Sequence, residues 1–230
     1  LLENYSQFWQ PLGIIFTYLT LVIILAEGLN RFTHLNSEFT RKVVHIGTGN
    51  IILFAWWYKI PSEIVVMAAA IASIMAITSY FLPILPSINS VGRQSLGTLF
   101  YAISIGLLVA IFWHLEQPQY AAIGILIMTW GDGLAAIIGQ NFGQHPYQIL
   151  GNKKSWEGTL TMVLVSYLVN TIILVAIFGN LWQIWLLSLI VALIAASLEI
   201  ISWLGLDNFT VPVGSAMFSF LLSKLLLLIN

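Results

Sequence analysis

Residues 156–179 read Trp-Glu-Gly-Thr-Leu-Thr-Met-Val-Leu-Val-Ser-Tyr-Leu-Val-Asn-Thr-Ile-Ile-Leu-Val-Ala-Ile-Phe-Gly, and Glu157 is the only charged residue among them. A helix rises about 1.5 Å per residue, so about 20 apolar residues cover a hydrocarbon core of about 30 Å. This run is long enough to span a membrane. Working outward from it, comparable stretches fall at 11–29, 43–59, 62–82, 96–114, 119–140, 182–201 and 210–229. That makes eight spans, or seven if 43–59 does not cross. Apolar segments joined by short polar loops imply an all-α, polytopic transmembrane helical bundle, with residues 1–230 forming a single integral membrane domain.

Composition agrees. Hydrophobic residues make up 59% of the chain and charged residues 7%, where a soluble domain carries about 25% charged. A soluble fold is excluded. The formal net charge of −1 points to no acidic or basic partner, and neither a nucleic-acid-binding patch nor an acidic tail is present. Without cysteine the chain has no disulfide and no thiolate metal site, so any metal must take carboxylate, amide or imidazole ligands. Leu1–Gln10 lacks the basic segment of a signal peptide, and the first apolar stretch is read as a mature helix.

Arg31, Arg41, Lys42, Arg93, Lys153 and Lys154 fall in alternate loops, while the intervening loops contribute only Lys59. The positive-inside rule places the first set on the cytoplasmic-type face and both termini outside. The stretch Pro83–Ser95 reads as an interfacial loop or short helix on that face rather than a span. Glu27, Asp132, Glu157, Glu199, Asp207 and Asn208 are expected at the same face, at span ends or in its loops. Asp132 lies twelve residues past Tyr120, about 18 Å along a helix, beyond the midplane.

The richest polar stretch is Trp130-Gly-Asp-Gly-Leu-Ala-Ala-Ile-Ile-Gly-Gln-Asn-Phe-Gly143, followed by Gly151-Asn-Lys-Lys-Ser-Trp-Glu-Gly158. An ionised aspartate within a span costs about 2.5–3.5 kcal/mol on insertion scales unless something pairs with it. Asp132 therefore calls for a structural ion pair or for a metal or catalytic role. Gly131, Ala135, Gly139 and Gly143 leave one helix face nearly bare, either for close helix packing or to admit a phosphate ligand. Lys153 and Lys154 precede Ser155, a good N-cap, with Glu157 in the first turn of the next span. Two ammonium groups beside a helix N-terminus can hold a phosphate, or simply anchor the inner face. The run lacks the glycine spacing of a Walker A loop.

Arg41-Lys-Val-Val-His-Ile-Gly-Thr-Gly49 opens the second span and puts Arg41 and His45 on one helix face. His45 should point into the bundle. Glu27 and Arg31 have the spacing of an ordinary helical ion pair. Glu199 closes the seventh span, and Asp207-Asn-Phe-Thr-Val-Pro212 opens the eighth, with Asp207 or Asn208 as N-cap or ligand. Carboxylates and an amide on one face, without thiols, form a hard oxygen set suited to Mg²⁺.

These residues resemble the polyprenol kinase family of membrane phosphotransferases, which includes phytol kinase, dolichol kinase and CTP-dependent diacylglycerol kinase. The similarity to CDP-diacylglycerol synthase is more distant. The matching pieces are Arg41-Lys-x-x-His45-x-Gly47, Gly131-Asp132-x-x-Ala135-x-x-x-Gly139, Lys154-Ser155-x-Glu157-Gly158 and Asp207-Asn208-x-Thr210-x-Pro212, spread over most of the chain. The short length and the Arg-Lys-Val-Val-His-Ile-Gly opening look most like phytol kinases, whereas dolichol kinases are usually longer.

The resemblance implies transfer of the γ-phosphoryl group of CTP to a prenyl alcohol, with phytol the expected acceptor and Mg²⁺ bridging the phosphates. It implies Asp132 and Asp207 at the metal with Asn208 assisting. Arg41, Lys153 and Lys154 would lie on the phosphates, with room for the nucleotide beside Gly131 and Gly139. Glu157 would support the metal or the chemistry. His45 would orient the hydroxyl, act as a base, or pack. The expected setting is a bacterial inner membrane, a thylakoid-type membrane or a plastid envelope, with a nucleoside triphosphate, a prenyl alcohol and membrane lipids as partners. Two rivals follow from the same residues. A cytidylyltransferase would release pyrophosphate instead of CDP, and a transporter would use Asp132 and the glycine-rich segment to line a pathway.

Overall fold

The structure is a computed structural model and describes residues 9–32, 37–81, 96–149 and 151–227. The expected interfacial loop or short helix Pro83–Ser95, with Arg93, lies outside the described residues. In chain order the helices are α1 (Trp9–Phe32), α2 (Ser37–Gly49), α3 (Ile51–Trp57), α4 (Ser62–Phe81), α5 (Gly97–His114), α6 (Pro118–Leu126) and α7 (Gly133–Phe142). A hairpin of β1 (Pro146–Ile149) and β2 (Asn152–Ser155) leads to α8 (Trp156–Phe178), α9 (Trp182–Ile200) and α10 (Asp207–Leu227).

The bundle is built around one rod. Pro118 starts α6 at the first helical position, where its missing N–H would have had no partner. A π-helical turn, Ile127–Asp132, then joins α6 to α7, so the rod continues to Phe142. Its apolar window is 72% buried against 6% for α1, which makes the rod the axis and α1 a peripheral, lipid-side helix. Small residues allow the close approach. Gly124 lies against the Pro212 carbonyl of α10, and a Cβ on Gly131 would come within 2.6 Å of Met162 Sδ on α8. The rings of Phe112, Tyr120 and Phe220 close the core between α5, α6 and α10, at 5.3–5.7 Å between centroids.

The outer faces carry Leu21, Ile23, Ile24 and Leu25 on α1 and Leu160, Leu164 and Ile172 on α8, all exposed. An apolar surface of this extent fits lipid rather than water. Within the bundle, Asn170 Nδ2 donates to Ser188 Oγ at 2.9 Å and Ser219 Oγ donates to Asn170 Oδ1 at 2.8 Å. These buried bonds tie α8, α9 and α10 where no water can satisfy the groups.

Three expectations change in detail. The count of eight spans is only approximate, since among the described residues six helices are long and apolar enough to cross and α4 contributes a shorter apolar stretch, Ser62–Thr78. The expected span 43–59 is divided at Asn50 into α2 and α3, and α2 starts in polar sequence at Ser37. The break has a physical cause. The run Gly47-Thr-Gly-Asn50 is poor in helix formers, and the Asn50 side chain is committed elsewhere, accepting from Trp130 Nε1 at 2.8 Å and donating to Tyr18 Oη at 3.2 Å. The stretch before α8, read as a loop, is the hairpin, which turns through Gly151 at a φ of 82°. That left-handed conformation suits glycine.

Candidate active site

Asp132 ends the π-helical turn, and its charge is met by an ion pair with Lys42 Nζ of α2. Both side chains are nearly enclosed, at 6% exposed for Lys42 and 13% for Asp132. Residues on the two elements explain the contact. Gly49, seven residues beyond Lys42, packs against Thr129, and Gly133 sits against Ile46, so α2 lies directly on the rod. A chain of bonds from Trp130 through Asn50 and Tyr18 to the Gly47 carbonyl holds that register. A π-helical turn widens the helix locally and re-aims its side chains, a feature common at functional positions.

Further charges converge on this pair. Asp207, at the start of α10, is within electrostatic reach of Asp132, Lys42 and Lys154. Glu199, at the end of α9, interacts with Lys154, Asp132 and Asp207. Lys154 Nζ is held by Glu199 Oε1 at 2.5 Å and by the Glu199 carbonyl. Arg41 forms a two-pronged pair with Glu38, Nε to Oε2 at 2.9 Å, and its charge also reaches Asp132 and Asp207. Burial alone would raise the Glu38 carboxyl, but the Arg41 guanidinium holds it below its ordinary value. His45 feels Lys42, Asp132 and Arg41 and stacks on Tyr101 of α5, with centroids 4.8 Å apart. The structure thus gathers three of the four sequence motifs, and Lys154 of the remaining one, at one end of the bundle.

Other residues named from the sequence stand apart from the cluster. Lys153 and Lys154 do not act as a pair, because neighbouring strand residues point to opposite faces. Lys154 pairs across the hairpin with Tyr147 on the inward face, whereas Lys153, opposite Gln148, is exposed. Glu157 turns to the hairpin and takes His145 Nδ1 at 2.6 Å and the His145 amide at 3.2 Å. Ser155 does cap α8, accepting from Gly158 N at 3.2 Å. Asn208 stays local, with Nδ2 donating to Asp207 Oδ1 at 3.1 Å. The bare face of Gly131 and Gly139 is covered by α8, where a Cβ on Gly139 would meet Ser155 Oγ at 3.0 Å. Of the two readings for those glycines, close helix packing is the one this geometry displays. The expected pair of Glu27 and Arg31 forms, at 2.5 Å.

Lys42 and Glu199 are the members of the cluster that the sequence reading left out of the site. Lys42 carried a signal: it is spaced with Ile46 and Gly49 along one helix face, and an intramembrane aspartate needs a cation. Glu199 could be matched to Lys154 only through the fold.

For Mg²⁺, no group of three or more His, Asp or Glu side chains among the described residues is placed to hold the ion alone. Asp132 and Asp207 nevertheless offer hard carboxylate oxygens near one another. Mg²⁺ commonly uses one or two carboxylates together with substrate phosphates, and this donor set fits that mode of binding.

Buried carboxylates and cations gathered at one end of a polytopic helical bundle give a membrane protein with an enclosed ionic site. Comparison with known proteins makes this specific. The chain is 53% identical to phytol kinase of Synechocystis sp. over 209 residues, covering 91% of this chain and 90% of that one. It is 28% identical to phytol kinase 1, chloroplastic, of Arabidopsis thaliana, over 87% of this chain and 71% of that one. For the probable chloroplastic phytol kinase of Zea mays the identity is 26%, over 82% and 68% of the two chains. No family model matches the chain, and no solved structure does. The chain belongs to the phytol kinase family.

Proposed function

We propose that this protein phosphorylates phytol, taking the γ-phosphoryl group of CTP and releasing phytyl phosphate and CDP. The observation that carries the reading is the 53% identity to a phytol kinase along nearly the whole of both chains. The ion cluster supplies a chemistry to match it. In the transfer, the alcohol oxygen bonds to the γ-phosphorus as the bond from that phosphorus to the β–γ bridging oxygen breaks, CDP leaves with that oxygen, and the hydroxyl proton is released. Charge neutralisation and alignment dominate such a reaction. Lys42, Lys154 and Arg41 are the cations for the phosphates, each held ready by a carboxylate. Asp132 and Asp207, with Asn208 steadying Asp207, would hold Mg²⁺, which when bound neutralises charge on the phosphate oxygens. Glu157 and Lys153 serve the hairpin and the membrane face instead. The host membrane is a bacterial inner or thylakoid-type membrane, with the site on its cytoplasmic-type face.

The test is a purified-protein assay in lipid nanodiscs that crosses CTP, ATP, GTP and UTP with phytol, geranylgeraniol, dolichol and diacylglycerol. Phytol with CTP is expected to give phytyl phosphate and CDP. Pyrophosphate release with a cytidylylated lipid would replace the kinase reading by the transferase one, and phosphorylation of diacylglycerol alone would overturn the acceptor.

A further inference from the structure

Two buried side-chain atoms beside the ion cluster have no hydrogen-bond partner: His45 Nε2 on α2 and Tyr101 Oη on α5. Their rings stack at 4.8 Å with planes inclined by 47°, so the two vacant polar atoms belong to one contact between the helices. Tyr101 Oη is close enough to the Thr48 side chain to interact with it, though not in good hydrogen-bonding geometry, and the Thr48 hydroxyl donates to the His45 carbonyl at 3.1 Å. Leaving a buried polar atom unbonded is costly, and two together at the edge of a charged cluster call for a ligand.

The chemistry of the pair selects that ligand. An unprotonated imidazole nitrogen accepts a hydrogen bond, and a phenol can donate one. A phosphate oxygen has no proton to give to Nε2, and the cations that suit it are Lys42, Lys154 and Arg41. A hydroxyl gives one hydrogen bond and receives another, which matches both atoms. His45 also stands three residues along α2 from Lys42, next to the place assigned to the phosphates, and it feels the charges of Lys42 and Asp132.

We propose that His45 Nε2 and Tyr101 Oη seat the hydroxyl of the acceptor alcohol, which donates to His45 and accepts from Tyr101, so that this pair positions the attacking oxygen. The assignment rests on the lipid-alcohol kinase reading and adds Tyr101, a residue outside every motif, to the site.

The test uses Tyr101→Phe and His45→Gln in nanodiscs, with phytol mole fraction and CTP concentration varied separately and thermal unfolding followed alongside. Each variant is expected to lose at least tenfold in kcat/KM for phytol while KM for the nucleotide stays within twofold. Tyr101→Phe keeps the ring and its contact with His45 and is expected to unfold close to the wild-type temperature. Wild-type kcat/KM for phytol in Tyr101→Phe, or a matching loss in nucleotide affinity, would overturn the seat. The near-isosteric Tyr101→Phe keeps the test valid if His45→Gln does not fold. A wild-type protein that never phosphorylates phytol would instead sink the functional reading, whereas an active wild type with unaffected variants would sink the hydroxyl seat alone.

Discussion

Replacing Lys42 by methionine keeps most of the side-chain volume but strands the Asp132 charge inside the bundle. With Lys42 6% and Asp132 13% exposed, water cannot take over the role of the ammonium group. Arg41 is adjacent in sequence but is engaged by Glu38. Removing one partner of a buried pair costs roughly 3–5 kcal/mol, and an unpaired aspartate in a span costs about 2.5–3.5 kcal/mol. The two scales overlap near 3 kcal/mol, so Lys42→Met is expected to lower the unfolding free energy by about 3 kcal/mol. The double variant Lys42→Met/Asp132→Leu leaves no stranded charge and is expected to return to within about 1 kcal/mol of wild type. Graded denaturant unfolding in mixed micelles, followed by tryptophan fluorescence, measures both. Neither variant should retain kinase activity, which separates the pair's place in catalysis from its effect on stability. A single variant as stable as wild type, or a double variant no better than the single, would refute the argument.

Lys154→Ala should chiefly weaken nucleotide use, since a charge-assisted contact contributes about 1.5–3 kcal/mol, whereas Lys153→Ala should leave KM for CTP nearly unchanged; steady-state kinetics separates them. Asn170→Leu breaks the buried bonds to Ser188 and Ser219, and thermal unfolding should show a loss of about 1–2 kcal/mol. Cysteines placed at Gln117 and Gln148 should react with an impermeant thiol reagent from opposite sides of the membrane, and labelling from the same side would break the topology.

What could be read from the sequence, and what could not, follows from how far each signal reaches along the chain. Apolar runs as long as a bilayer is thick are local, so α1, α5, α8, α9 and α10 appear close to where the runs lie. The Ser155 cap and the Glu27–Arg31 pair are also local and form as expected. The partner of Asp132 lies ninety residues away on α2, so Asp132 calls for a cation without saying which one. Arg41 and His45 share one helix face by spacing, but Lys42, one position over, is the residue that pairs with the rod. Adjacent lysines in a loop before a helix look like a pair, whereas a strand sends Lys153 and Lys154 to opposite sides. The resemblance implies a site role for Glu157, but the hairpin brings His145 to it first.

The central claim is that the cluster around Asp132 carries phosphoryl transfer to phytol. It is tested most directly by incubating wild-type and Asp132→Asn protein, each confirmed as inserted and folded in nanodiscs, with phytol and CTP labelled in its γ-phosphate. The wild type is expected to move the label to phytol with release of CDP, and Asp132→Asn to move none above background. Transfer by Asp132→Asn at the wild-type rate would remove Asp132 from the mechanism and contradict the account.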